Sequence, residues 1–244
     1  MDDAQSKVTL RPRSKLERVL DAIGEEYEVP PRPALDLVSQ VALLHLVGCG
    51  ADHKAAIVAI GPLCSKPGAV DPELLAHTPR ELVATVCPEG LVDDTVRALR
   101  SLGEAATAKP QGLEARCRGD LTEARRLLRS LPGMAEQRAD LILLQAGIHA
   151  VVAPTGYGVQ VAARLGYPGT SYASFARALD EELPEHANAV AVAWRAHHLL
   201  DQHGKRICAP RSPQCGRCPV RDACAYRGEG EDPATRLSWR APAS

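Results

Sequence analysis

The chain has 244 residues, 45% of them hydrophobic and 24% charged, which suffices to bury a core and excludes wholesale disorder. Its 29 basic and 30 acidic residues leave a net charge of -1, so any polyanion-binding surface is local rather than global. Two Trp, five Tyr and one Phe argue against a large sheet sandwich and against aromatic stacking platforms. No apolar run is long enough to span a bilayer, and the polar stretch Met1 to Arg18 lacks the apolar centre of a secretory signal, so the expected location is cytoplasmic with no membrane partner.

Residues 1–15 read as a mobile basic arm containing Lys7, Arg11, Arg13 and Lys15. Helical periodicity starts at Leu16 and continues through Val19, Leu20 and Ile23, until Pro30, Pro31 and Pro33 break it. Leu35 to Val47 is too apolar all round for a surface helix and predicts a buried one, ended by Gly48 and Gly50. Shorter helical patterns follow at Lys54 to Ile60, Pro72 to Ala76, Pro79 to Val86 and Leu91 to Leu102. Asp71 before Pro72 and Thr78 before Pro79 predict N-caps with proline at the first helical position. A basic amphipathic helix is expected from Leu121 to Ser130 and an apolar one from Leu141 to Ala146. Ser171 to Leu183 and Ala187 to His203 predict two more, and the tail, 227–244, reads as frayed or loosely docked. No alternating strand pattern of useful length appears, so the expected class is all-α with about nine or ten short helices.

Eight cysteines in a cytoplasmic chain need an explanation other than disulfides. Cys49, Cys64, Cys87 and Cys117 stand alone and read as small buried hydrophobes, with nothing in their spacing to suggest a second site. The other four follow Cys208-x6-Cys215-x2-Cys218-x5-Cys224, a set that suits zinc or an iron–sulfur cluster. Structural zinc takes two tight knuckles, whereas only Cys215 and Cys218 form one here; a cubane is wider than one ion and tolerates looped outer ligands. Between His203 and Arg227 lie six Lys or Arg against one acid, Asp222. That patch can meet phosphates through Lys205, Arg206 and Arg211, and part of it offsets the charge of four thiolates. His203 adjoins the loop as a helix cap or phosphate contact, whereas His197 and His198 fit an ordinary helix.

Ser130-Leu131-Pro132-Gly133-Met134-Ala135 separates the basic helix from the apolar one. A tight glycine turn leaves the first amides of the second helix unpaired, and the amides of Gly133 and Ala135 would then suit a sequence-independent grip on a phosphate. A plain helix–helix turn is the simpler reading of that motif taken alone.

Together, and in this order, Leu131-Pro132-Gly133, Val161-Ala162-Ala163-Arg164-Leu165-Gly166 and His203-Gly204-Lys205-Arg206 running into the four cysteines resemble the endonuclease III branch of the helix-hairpin-helix DNA glycosylase superfamily. The resemblance covers residues 16–226 and is strong from 121 to 226. It implies an all-α, two-lobed fold with a [4Fe-4S] cluster on Cys208, Cys215, Cys218 and Cys224. One lobe would span residues 35–165 and the cluster lobe residues 16–34 plus 166–226. It also implies a monomer that binds damaged or distorted double-stranded DNA, associated with the nucleoid, and flips a base from the duplex.

The departures fall on the chemistry. Bifunctional members of that branch place a Schiff-base lysine six residues after the hairpin leucine, where this chain has Gln137. The aspartate expected eighteen residues later is Thr155, the following Thr-His is Gly156-Tyr157, and the hairpin's second glycine is Ala135. A gap-filling glutamine of the N-terminal half is replaced near Val47. Asp140, three residues after Gln137, is the candidate for a relocated acid, and Tyr157 for a base contact. Three readings follow: a DNA-binding cluster protein without the usual catalytic pair; a monofunctional glycosylase using Asp140; and a non-catalytic protein-interaction role.

Overall fold

The computed structural model describes residues 12–185 and 188–237. Most of the predicted arm, the first residue of the helix expected from Ala187 and the end of the tail lie outside the described residues. Among the described residues the chain is helical apart from one short hairpin. The elements are α1 (Lys15–Gly24), α2 (Leu37–Gly48), α3 (His53–Ile60), β1 (Cys64–Lys66), β2 (Ala69–Val70), α4 (Pro72–Ala76), α5 (Arg80–Ala84), α6 (Glu89–Thr107), α7 (Leu113–Cys117), α8 (Leu121–Arg129), α9 (Glu136–Gln145), α10 (Gly156–Leu165), α11 (Tyr172–Asp180) and α12 (Ala189–Arg206).

Local chemistry sets these boundaries. Ser14 and Glu17 form a capping box that starts α1, whose Leu16, Val19, Leu20 and Ile23 face inward, none more than 1% exposed. Asp36 caps α2, which is apolar on every side and runs through the first group of helices, touching α3, α6, α7 and α9. Asp71 caps α4 with Pro72 at its first position, as the sequence predicts. The parallel expectation at Thr78 is not met: its hydroxyl donates to the carbonyl of Leu75, and Pro79 itself becomes the N-cap of α5. The β1–β2 hairpin was not legible in the sequence because it is a tight antiparallel turn at Gly68, too short for any alternation. No helix among the described residues is long and apolar enough to cross a membrane.

Two groups of helices result. α2 to α9 pack on one another, with α4 and α5 on α6 and α7 on α8. α1, α10 and α11 gather on α12's side, so α10 joins the second group and the boundary falls before it rather than at residue 165. α9 touches α12 and bridges the two. Two further expectations are corrected. Cys49 and Cys87 are buried, but they form a disulfide, because the end of α2 and the start of α6 bring their Cα atoms to 5.6 Å. The beginning of the tail is docked rather than loose: Asp232 pairs with Arg164, and Ala234 and Leu237 join the core.

Candidate nucleic-acid interface and cysteine loop

The hairpin begins with α8, capped by Asp120, which buries Ala124, Leu127 and Leu128 and carries Arg126 and Arg129 in its last turn. Ser130 closes that helix by donating to the carbonyl of Leu127. In the turn, Leu131 and Met134 anchor inward while Pro132, Gly133 and Ala135 face solvent. Gly133 has φ +71°, a left-handed conformation that a side chain would strain. Ala135 provides no side-chain cap for α9, so that helix presents its first amides and its dipole to any approaching anion.

Arg138 braces the turn, donating to the Gly133 carbonyl at 3.0 Å. A cavity of about 370 Å³ opens beside it, lined by His45, Gly48, Thr95, Pro132, Gly133 and Arg138. Burial, reinforced by the Arg138 charge, pushes the His45 imidazole down to about 4, so it is neutral at physiological pH. Val47, where the resemblance expects a gap-filling residue, is 40% exposed at the end of α2.

Within the first turn of α9, Gln137 donates from Nε2 to the Pro154 carbonyl at 3.0 Å. The next residue, Thr155, caps α10: its Oγ1 accepts from the Gly158 amide at 3.2 Å and donates to Asp201 Oδ1 at 2.6 Å. The other oxygen of Asp201 meets Lys205 Nζ at 2.7 Å, and that ammonium lies 5.5 Å from the Tyr157 ring centroid. α10 and α12 come this close because residue 204 is glycine; a Cβ there would fall 2.7 Å from the Tyr157 Cβ. Gln137, Thr155 and Tyr157 therefore sit in one patch with Lys205. The residue that completes it, Asp201, escaped the sequence reading, although its i,i+4 spacing to Lys205 was the signal available.

Asp140 is not in this patch. It is fully buried, bound by Arg125 Nε at 2.6 Å and by the Tyr172 hydroxyl at 2.9 Å. Arg125 also faces Asp180 at 3.8 Å, whose carboxyl accepts from the Val152 amide at 2.6 Å and is pushed up to about 7, chiefly by burial. These groups bolt both hairpin helices to α11. The relocated-acid expectation at Asp140 is thereby corrected: its carboxylate faces the interior and both oxygens are taken.

The four loop cysteines, all half-buried, line a single cavity with Arg164, Ile207 and Tyr226. Arg164 was only part of a motif in the sequence, yet it organises the loop. Just 1% exposed, it donates to the carbonyls of Cys208, Ala209 and Pro210, to Cys208 Sγ at 3.3 Å and to Asp232. His203 lies fully buried behind the loop, its Nε2 3.5 Å from Cys218 Sγ, so it is neither an exposed cap nor a phosphate contact. Burial pushes the Cys208 thiol up to about 11 even beside Arg164, so the protein alone does not hold a thiolate there. A metal centre held there would supply the charge that displaces the proton. Among the described residues, no three His, Cys, Asp or Glu converge tightly enough for one metal ion. Four cysteine sulfurs lining one cavity are a donor set that either a zinc ion or an iron–sulfur cluster can use. Arg206 and Arg211 are exposed, with the Arg206 guanidinium 5.3 Å from the Tyr27 ring, whereas Lys205 is already paired to Asp201.

No family model matches the chain. It is 24% identical to endonuclease III of Sulfolobus acidocaldarius over 174 residues, 71% of this chain and 75% of that protein. It is 28% identical to endonuclease III of Escherichia coli over 110 residues, 45% of this chain, and spans about half the length of that relative, 50%. Among solved structures, it superposes on endonuclease III in a non-covalent DNA complex with TM-score 0.59 at 17% identity, over 90% of this chain and 98% of that one. A thermostable thymine-DNA glycosylase gives TM-score 0.56 at 17% identity, over 87% and 94%. In sequence the chain is similar to endonuclease III, and its fold is that of the endonuclease III–DNA complex on which it superposes.

Proposed function

We propose that this protein binds damaged or distorted duplex DNA as a monomeric [4Fe-4S] member of the base-excision repair glycosylases, without lyase chemistry at the hairpin helix. The observation that carries the reading is the bonded path from Gln137 through Pro154, Thr155 and Asp201 to Lys205. It brings the uncapped start of α9 together with the cationic end of α12. In this reading the amides of Gly133 and Ala135 hold one phosphate, and Arg206 and Arg211 hold others, with Lys205 in reach. Cys208, Cys215, Cys218 and Cys224 hold the cluster, whose contribution is to fold the loop that carries these cations. Gln137 cannot form an imine, because its nitrogen belongs to an amide, and Thr155 brings no charge to a reacting sugar. Tyr157 stands beside the patch as a base contact.

The test is duplex affinity as a function of salt, using the full chain. Binding should weaken linearly on a log–log plot, with a slope of about -0.9 per neutralised phosphate. Arg211→Gln should lower affinity about equally for all sequences and reduce the slope by about one. Salt-insensitive binding, or none, would favour a protein-interaction role instead.

A further inference from the structure

We propose that Asp201, delivered from α12, is the carboxylate of this site, poised to face positive charge on a deoxyribose ring. The inference rests on the duplex-binding reading above. Three observations carry it. Asp201 is 17% exposed, shielded but open on one side. Its Oδ1 is oriented by the Thr155 hydroxyl at 2.6 Å, and that hydroxyl is itself fixed as the cap of α10. Its Oδ2 already holds a cation, the Lys205 ammonium at 2.7 Å, on a side chain that is 54% exposed.

An ammonium resting on a half-shielded carboxylate occupies the position that a cationic sugar would take. Lys205 has a flexible stem and solvent around its head, so a DNA phosphate can draw it away and uncover Asp201. Thr155 then acts as a positioning residue, and the loss of a charge at position 155 is offset one hydrogen bond further out. As the C1′–N bond of an extruded nucleoside breaks, its electron pair leaves with the base, and C1′ becomes cationic opposite Asp201. Water then forms the C1′–O bond; Asp201 accepts the proton that water loses and the departed base takes it up. A carboxylate here contributes only if it interacts more strongly with the charged sugar than with the neutral one.

That difference can be measured without knowing the base. Two duplexes are compared, one carrying a neutral tetrahydrofuran in place of one nucleoside and the other an isosteric, protonated pyrrolidine. The wild-type full chain should bind the pyrrolidine duplex tighter, on the order of tenfold or more, because the cation mimics the charged sugar. Asp201→Asn should abolish the preference. Lys205→Gln, a change at an exposed side chain, should enlarge it by removing the competing cation, which a purely structural Asp201 would not do. Equal affinity of the wild-type protein for both duplexes, or a preference that survives Asp201→Asn, would overturn the assignment. Failure to bind even the tetrahydrofuran duplex would instead remove the duplex-binding reading, and this assignment with it.

Discussion

Arg164→Met is expected to destabilise the folded chain by about 3–5 kcal/mol and, on the proposed [4Fe-4S] reading, to empty the cysteine loop of iron and sulfide. The arginine is 1% exposed, and its guanidinium fastens three consecutive carbonyls of the loop, one cysteine sulfur and Asp232. Methionine keeps the aliphatic length but leaves those acceptors without a donor and Asp232, 16% exposed, without a counter-charge. An unsatisfied buried acceptor costs about 1–3 kcal/mol, so several lost together exceed what the added apolar packing returns. Thermal unfolding with iron and acid-labile sulfide analysis measures both effects. A variant that keeps its cluster and its melting temperature would show that the loop is held by its ligands alone.

Asp140→Ala is expected to cost about 3 kcal/mol, lowering the melting temperature by about 6–12 °C. Removing the carboxylate strands Arg125 beside Asp180 and takes the acceptor from the buried Tyr172 hydroxyl. The Arg125 side chain is 29% exposed, so water recovers part of its solvation, which places the cost at the low end for a broken buried pair. Because the same groups tie α8 and α9 to α11, the hairpin should also lose its fixed placement and duplex affinity should fall. An unchanged melting temperature would restore Asp140 as an exposed group available for chemistry.

Helix existence was legible where apolar spacing or a cap spoke plainly. Leu16, Val19, Leu20 and Ile23 mark α1 by their period, and Asp71-Pro72 marks α4 by its cap. The sequence shows α10 only as a motif, because glycines and small residues at 156–163 weaken its helical pattern; their purpose is close packing on α12, visible only once Gly204 meets Tyr157. The cysteine spacing and the hairpin turn were legible because they are local. The buried ion pairs were not: Arg125 and Asp140 lie fifteen residues apart and Arg164 and Asp232 sixty-eight. Only the packing of α11 and the return of the tail bring those charges together. Cys49 and Cys87 failed for the same reason, thirty-eight residues apart and bonded through the meeting of α2 with the start of α6.

Hydrogen–deuterium exchange of the full chain, with and without a duplex bearing a tetrahydrofuran residue, addresses the central claim most directly. The account predicts slowed exchange on binding at 131–137, in the hairpin turn and the first turn of α9, and at 203–211, where α12 enters the cysteine loop. Protection confined to α4 and α5, or no change in either predicted segment while DNA is bound, would contradict it.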